Sequence, residues 1–202
     1  MYDLENIGKY KLLVFDMDGT LFDTSESNYW SYHDAAKKYG YEIEHDRFLQ
    51  VFVGRNYKEF LPMFGITGEK ELKYIHDFKK EHYKDYISKI KKNDALFSIM
   101  EKLKTGRKFA LATTASRKNT MDVLEYFDVL KYFDYILTQE DVTKLKPDPE
   151  CYNIIMDKLQ FSPKETVIFE DSEVGIEAAI ASGADYIKVN DFQKYSALKR
   201  RA

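Results

Sequence analysis

Residues 12–23, LLVFDMDGTLFD, decide how the rest of the chain is read. Leu12 to Phe15 are four consecutive apolar residues, which predict a short strand buried on both faces, as in a parallel sheet. The run stops at two carboxylates, Asp16 and Asp18, so the acids stand at the strand's C-terminal end. That rim is where open α/β sheets bind ligands. Gly19 lets the backbone leave the strand in a direction that a residue with a Cβ resists. Two like charges about 4 Å apart repel by roughly 4 kcal/mol at an effective dielectric near 20, so the pair asks for a cation. A calcium loop of the D-x-D-x-D-G type does not fit. Counted from Asp16, its third ligand position is Thr20, its glycine position Leu21 and its closing glutamate position Ser27. On this stretch alone, an acidic surface turn stays open as the alternative.

The 202 residues are 44% hydrophobic and carry a formal net charge of −3. This composition supports a packed core and argues against disorder and against electrostatic binding of nucleic acid. The basic end at residues 199–202 is too short to reverse that and reads as a solvated helix end. Cys151 is the sole cysteine, so no intrachain disulfide forms, which suits a reducing compartment. No apolar run approaches a membrane span, and Leu12 to Phe15 is too short for a signal-peptide core. The expectation is a cytoplasmic protein, monomeric, with neither membrane nor nucleic acid as a partner.

After the acidic stretch, helical patterns cover residues 25–39, 46–52, 56–63 and 69–90. The last of these places Leu72, Ile75, Phe78, His82, Tyr86 and Ile90 along one stripe. Asp94 is read as the cap of a further helix that ends at Gly106. The rhythm then becomes strand and helix in alternation. Strands are expected at 109–113, 135–137, 166–169 and 186–189, and helices at 117–125, 149–159 and 173–182. This α/β alternation predicts a parallel sheet with helices on both faces. A crossover between parallel strands needs about a dozen residues, and far more than that separates Asp18 from Phe109. Residues 24–92 are therefore expected to be a helical insertion, a cap placed to act as a lid, and residues 1–23 with 93–202 the core.

Other strand ends carry chemistry too. Thr113 and Thr114 follow the second core strand, where a hydroxyl and backbone N–H groups could hold phosphate oxygens; threonine is equally a good strand residue. In the stretch Leu145-Lys146-Pro147-Asp148-Pro149-Glu150, Pro147 biases Lys146 to an extended backbone, and Asp148 with Pro149 starts a helix. Lys146 is thereby fixed on the loop side of the sheet, although a solvated lysine is the commoner meaning of a single Lys. The strand Val167-Ile168-Phe169 runs into Glu170 and Asp171, with Ser172 free to cap the next helix. Two acidic pairs at two strand ends, without His or Cys, indicate a hard cation, Mg²⁺.

Phe15-to-Leu21 (FDMDGTL), Thr113, Lys146-Pro147 and Phe169-to-Ala179 (FEDSEVGIEAA) together resemble the haloacid dehalogenase-like (HAD) superfamily, in order and spacing, along the whole chain. The helical insertion and the Glu-Asp-Ser form of the last motif look like the β-phosphoglucomutase-like phosphatase branch. The resemblance implies a Rossmann-like sheet with the first strand central and an inserted all-helical cap. It also implies a Mg²⁺-dependent phosphatase acting on a small phosphorylated metabolite. Asp16 would be the nucleophile, forming an aspartyl-phosphate, and Asp18 the general acid and then base. Thr113 and Lys146 would hold the phosphoryl oxygens. Asp16, the Asp18 carbonyl and Asp171 would bind the metal, with Glu170 close by or behind them. The family's cap loop that faces the active site corresponds to Gly54-Arg55, so Arg55 would read the substrate's distal end.

A sugar phosphomutase on the same scaffold is the alternative. Resembling mutases carry a histidine near the position of Asn28, which cannot shuttle a proton as imidazole does. The loop from Ser116 to Asn119 has polar groups for a second phosphate, Ser116 among them, but is offset from the mutase pattern by one residue. A dehalogenase lacks the second acid, present here as Asp18. A non-catalytic regulatory relative would be expected to have lost part of the set Asp16, Asp18, Lys146 and Asp171. His82 reads as a packed histidine on its helix's apolar stripe, and Cys151 as a small core residue.

Overall fold

The apolar run Leu12–Phe15 forms the central strand, β1, and all four of its side chains are fully buried. In the computed structural model, residues 7–52 and 55–189 are described. Gly54, the basic stretch 199–202 and the first six residues of the lead-in lie outside them. In chain order the main elements are β1, β2 (Phe22–Asp23), α1 (Ser25–Lys37), α2 (His45–Phe52), α3 (Tyr57–Phe60) and α4 (Glu69–His82). There follow β3 (Lys91–Lys92), α5 (Asp94–Leu103), β4 (Lys108–Ala112), α6 (Arg117–Tyr126), β5 (Tyr135–Leu137), α7 (Glu150–Leu159), β6 (Thr166–Glu170), α8 (Glu173–Ser182) and β7 (Asp185–Lys188). The chain divides into two compact units, one holding the described residues up to Asp23 and from Lys91 onward, the other Thr24–Ile90.

The first unit is a five-stranded sheet in the order β5-β4-β1-β6-β7, with every neighbouring pair parallel. Strand side chains alternate between faces. Leu12 and Val14 therefore join Ala110, Ala112 and Ile168 beneath Tyr152, Ile155 and Met156 of α7 and the Ala178-Ala179 pair of α8. Phe15 instead stacks on Phe169, with centroids 4.7 Å apart, and meets Phe109 edge-on at 6.1 Å. Each fully buried side chain of this size contributes about 1.5–3 kcal/mol, which is why a four-residue strand suffices at the centre. This is a Rossmann-like α/β core with an all-helical insert.

Small differences from the sequence pattern have local causes. Lys91 and Lys92, which the pattern leaves with the helical insertion, pair antiparallel with Phe22 and Asp23. Asn93, not Asp94, caps α5: its Oδ1 accepts from Leu96 N, while its Nδ2 donates to Thr20 O at 3.0 Å. Asp148 does accept from Glu150 N at 3.0 Å, but the helical turn begins at Glu150, one residue after Pro149.

In the second unit, Tyr29, Tyr32, Ala36, Phe48, Phe60 and Ile75 form the core, so the tyrosine-rich composition is largely used for packing. The long helix expected over 69–90 ends at His82 and tightens into a 3-10 segment, Tyr83–Lys89. Tyr83 and Ile87 remain buried across the change. Apolar spacing of three and four residues serves both helix types, so the pattern could not show the switch. The packed, satisfied histidine is His76 rather than His82. The Tyr32 hydroxyl lies 2.7 Å from His76 Nδ1, and the imidazole stacks on Tyr57 at 3.9 Å. His82 stacks on Phe78 and faces Asp85.

Burial pushes His76 down to about 4, with Lys79 and Lys80 adding to the effect. An unfolded chain takes up this proton near pH 6.5, whereas the folded unit resists until about 4, so stability falls as pH drops through that window. In urea denaturation, wild type is expected to lose about 1 kcal/mol more than His76→Gln between pH 7.5 and pH 5, allowing for partial solvent screening. Equal losses in the two proteins would show that the imidazole is not held neutral.

Candidate active site

The parallel register brings the acids together. Phe15 pairs with Phe169, so Asp16 and Glu170 are level at the sheet's C-terminal edge, and Asp16 N donates to Phe169 O at 3.0 Å. Phe15 also pairs with Leu111, which brings the end of β4, and Thr113 after it, to the same edge. The chain then turns sharply. Gly19 adopts φ +86°, and its N–H donates to Phe22 O at 2.7 Å. A Cβ on Gly19 would sit 2.1 Å from Asp171 Oδ2, so glycine serves both the turn and the approach of the second acid. Thr20 completes the contact by donating its hydroxyl to Asp171 Oδ1 at 2.9 Å.

Lys146 enters from the loop before α7, through a cis Lys146–Pro147 peptide. Its ammonium donates to Asp16 Oδ1 and Glu170 Oε1, both at 2.6 Å, and to Ala112 O at 3.1 Å. The lysine side chain is only 4% exposed. Glu170 is fully buried and receives further donors: Tyr152 OH on Oε1, and Asp171 N, Ser172 N and Ser172 Oγ on Oε2. Ser172 Oγ also accepts from Gly175 N at 3.1 Å and so caps α8, as the sequence suggests.

The charges explain the chemistry of the place. Burial works against the Lys146 ammonium, but Asp16, with Tyr152 and Glu170 beside it, outweighs burial and keeps the amine charged, well above the ordinary lysine value. Burial also drives Asp16 up; Lys146 opposes this, and Glu170, Asp171 and Asp18 reinforce it. Asp171 rises to about 6, through burial first and Glu170 second, against the pull of the Thr20 hydrogen bond. Four carboxylates thus crowd around one ammonium. Ligand oxygens of Asp16, Glu170 and Asp171 all lie within 4.8 Å of one another, so the residues fit a hard cation bound through oxygen.

Of the other residues singled out in the sequence, Asp18 is half-buried in a bridge to Phe22. Thr113 is buried; its N–H donates to Leu137 O and its Oγ1 accepts from Ala115 N, both at 3.0 Å. Thr114 is exposed. Ser116 Oγ serves as the N-cap of α6, accepting from Asn119 N. In the first turn of α6 Arg117 is tied to Asp141 at 2.5 Å and Lys118 to Asp122 at 3.1 Å. Arg55 belongs to the helical unit, where it is exposed and donates to Val51 O at 2.7 Å.

Sequence reasoning gave no role to Thr20 or Tyr152. Thr20 lies inside the quoted motif, but its hydroxyl's partner, Asp171, lies just past the end of another strand. Tyr152 looks like one more aromatic on the buried side of α7, and the signal that could have found it is its phenol, since a buried hydroxyl needs a polar partner.

A Rossmann-like sheet whose first and fourth core strands end in carboxylates, joined by a buried lysine, defines a class of hydrolase. Residues 13–189 match the haloacid dehalogenase-like hydrolase family, and the chain belongs to it. It is 32% identical over 182 residues to the phosphorylated carbohydrates phosphatase of Thermotoga maritima, covering 87% of this chain and 82% of that protein. It is 26% identical to the β-phosphoglucomutase of Bacillus subtilis, covering 91% and 84%. Among solved structures, a putative haloacid dehalogenase-like hydrolase from Bacteroides fragilis superposes with a TM-score of 0.78 at 26% identity, covering 94% of this chain and 93% of that one.

Because the folded protein holds the Asp171 proton up to about pH 6, the metal-free protein loses stability as pH rises from the ordinary aspartate range to about 6. In EDTA at pH 7.5, Asp171→Asn is expected to be more stable than wild type by about 2–3 kcal/mol, and the gap should close near pH 4. Chemical denaturation at both pH values measures it. A wild type as stable as the variant at pH 7.5 would contradict the crowding of the acids.

Proposed function

We propose that this chain is a Mg²⁺-dependent phosphatase of the β-phosphoglucomutase-like branch, hydrolysing a small phosphorylated metabolite through an aspartyl-phosphate. The observation that carries the reading is Lys146 bonded at 2.6 Å to Asp16 at a rim where three carboxylates converge. Asp16 and Asp171 would hold the metal, with the Asp18 carbonyl. Bound Mg²⁺ would offset the acids' charge and draw electron density from the phosphoryl oxygens.

Lys146 opposes the burial that favours a neutral Asp16 and orients one of its oxygens, leaving the other side of the carboxylate for bond formation to phosphorus; bound Mg²⁺ would add to that opposition. Thr113, whose oxygen already accepts from Ala115 N, keeps its hydroxyl proton to donate to a phosphoryl oxygen. Asp18 gives a proton to the leaving alcohol oxygen and then takes one from the water that cleaves the aspartyl-phosphate. Phosphoryl transfer is governed mainly by positioning and charge stabilisation, and these groups supply both. The exposed Thr114, and Arg55 in the helical unit, are assigned to substrate binding. A carbohydrate phosphate is the favoured substrate class, in line with the Thermotoga maritima relative's name.

Hydrolysis is favoured over mutase chemistry by two observations. Asn28 is buried with its amide turned onto Thr24 O and Thr24 Oγ1, at 3.0 and 3.2 Å, so it offers no acid or base. Arg117 and Lys118, the cations of the first turn of α6, are each already paired with a carboxylate.

With Mg²⁺, the protein is expected to release phosphate from an aryl phosphate and from sugar monophosphates, and EDTA should stop it. Asp16→Asn should lower kcat on the order of 10³-fold or more without a change of fold. Near wild-type turnover by that variant would refute the nucleophile. Incubation with β-glucose 1-phosphate and catalytic glucose 1,6-bisphosphate should release inorganic phosphate; conversion to glucose 6-phosphate without release would establish the mutase instead.

A further inference from the structure

The helical unit carries a recess of its own. A cavity of about 450 Å³, within the size range of small-molecule sites, lies between the end of α1, the second half of α4 and the 3-10 segment that follows it. Its charges are unevenly used. Asp34 Oδ2 accepts from the Tyr86 hydroxyl at 2.6 Å and its Oδ1 faces His33 Nδ1 at 2.8 Å, while Asp85 pairs with His82 at 3.3 Å. Lys37 and Lys38, both exposed, form no ion pair among the described residues. The Lys38 ammonium rests instead 3.9 Å from the centroid of the Phe78 ring. An entering anion would therefore meet two ammonium groups without breaking an ion pair.

The end of a helix favours cations through its dipole, which accounts for basic residues at the end of α1. It does not account for the recess or for the aromatic row that shares it. Tyr74, Phe78 and His82 follow one another four residues apart, so α4 presents them along one side. His82 stacks on Phe78 at 4.1 Å. Beyond them the exposed rings of Tyr39 and Tyr74 lie nearly parallel, 8° apart in plane and 6.3 Å apart in centroid.

We propose that this recess is a second binding site, which takes a small planar aromatic anion: Lys37 and Lys38 hold the charged group, and the Phe78–His82 row holds the rings. The site lies wholly within the helical unit and does not depend on the phosphatase reading. Charge and ring are both required of the ligand. Exposed ammonium groups alone hold an anion weakly in water, and rings alone leave the two lysines unused.

Titration of the full chain with 2-naphthoate, in EDTA at constant pH and ionic strength, tests it. Without metal, the acids of the sheet edge repel the probe, so binding there does not intrude. The ring ¹H–¹³C resonances of His82, assigned by their loss in His82→Gln, report the recess, and those of His45, which does not line it, serve as reference. His82 should shift and saturate with a Kd of about 1 mM or below, while His45 stays in place. Acetate, an anion without rings, should leave His82 unmoved. 2-Naphthalenemethanol, which has the rings without the charge, should bind about tenfold more weakly or worse. Replacing both lysines, Lys37→Gln with Lys38→Gln, should weaken 2-naphthoate by about tenfold or more, whereas Lys70→Gln, in the first turn of α4, should stay within about twofold of wild type. An unmoved His82 resonance at about 20 mM 2-naphthoate would overturn the proposal. So would an equal shift with acetate, equal affinity for the neutral alcohol, or wild-type affinity in the double variant.

Discussion

A single buried ammonium makes this sheet edge tenable. Asp16, Asp18, Glu170 and Asp171 bring like charges to one place, and each close pair costs roughly 4 kcal/mol at an effective dielectric near 20. Lys146 reaches two of them at 2.6 Å while bonding the last carbonyl of β4. Removing one partner of such a buried pair is far more damaging than the pair is stabilising, because the remaining charge cannot be solvated. The arrangement stores an unmet demand for positive charge at the place where a phosphoryl group and its metal would bring both signs together. Stability is therefore given up at the rim and recovered beneath it, in the fully buried strand β1 and the aromatic cluster of Phe15, Phe109 and Phe169.

The helical unit is governed by different physics. Its interior mixes aromatic rings with aliphatic side chains, and a buried phenol there finds an imidazole as partner, as Tyr32 does with His76. Nearer the surface, Tyr86 donates to the half-exposed Asp34 at 2.6 Å. Such a unit tolerates exchange of surface side chains, since the ring packing carries its stability. The rim of the sheet has no such freedom: Gly19 and Gly175 each face a carboxylate where a methyl group would collide.

Much of this was legible in the sequence, and the reason is chemical contrast. A buried apolar run ending in two acids, seen once at Asp16 and again at Glu170 and Asp171, has few meanings, and alternating strands and helices fix a parallel sheet. Lys146 was legible through its neighbours, because Pro147, Asp148 and Pro149 locate it just before a helix. What stayed hidden depended on groups distant in sequence. The donors that saturate Glu170 come from three segments, and only the adjacent Asp171 and Ser172 could have been anticipated. Asn93 outcompeted Asp94 as a cap because its amide also bonds Thr20 O, a partner from another part of the chain. The change of helix type at Tyr83 and the choice of His76 over His82 were invisible for a related reason. Spacing reports which side of a helix is apolar, not how tightly it is wound or which ring meets a partner.

The two-residue pairing of β2 with β3 has a consequence for how this chain can change over generations. Phe22 and Asp23 lie beside Lys92 and Lys91, so the sheet unit releases the chain and takes it back at adjacent points. An insertion that begins and ends at one spot asks nothing of the framework that hosts it. Its length, fold and surface can be replaced wholesale, provided the two ends still meet. The sheet edge with its acids and lysine can then be inherited unchanged while the insert is exchanged, as a handle is changed on a tool.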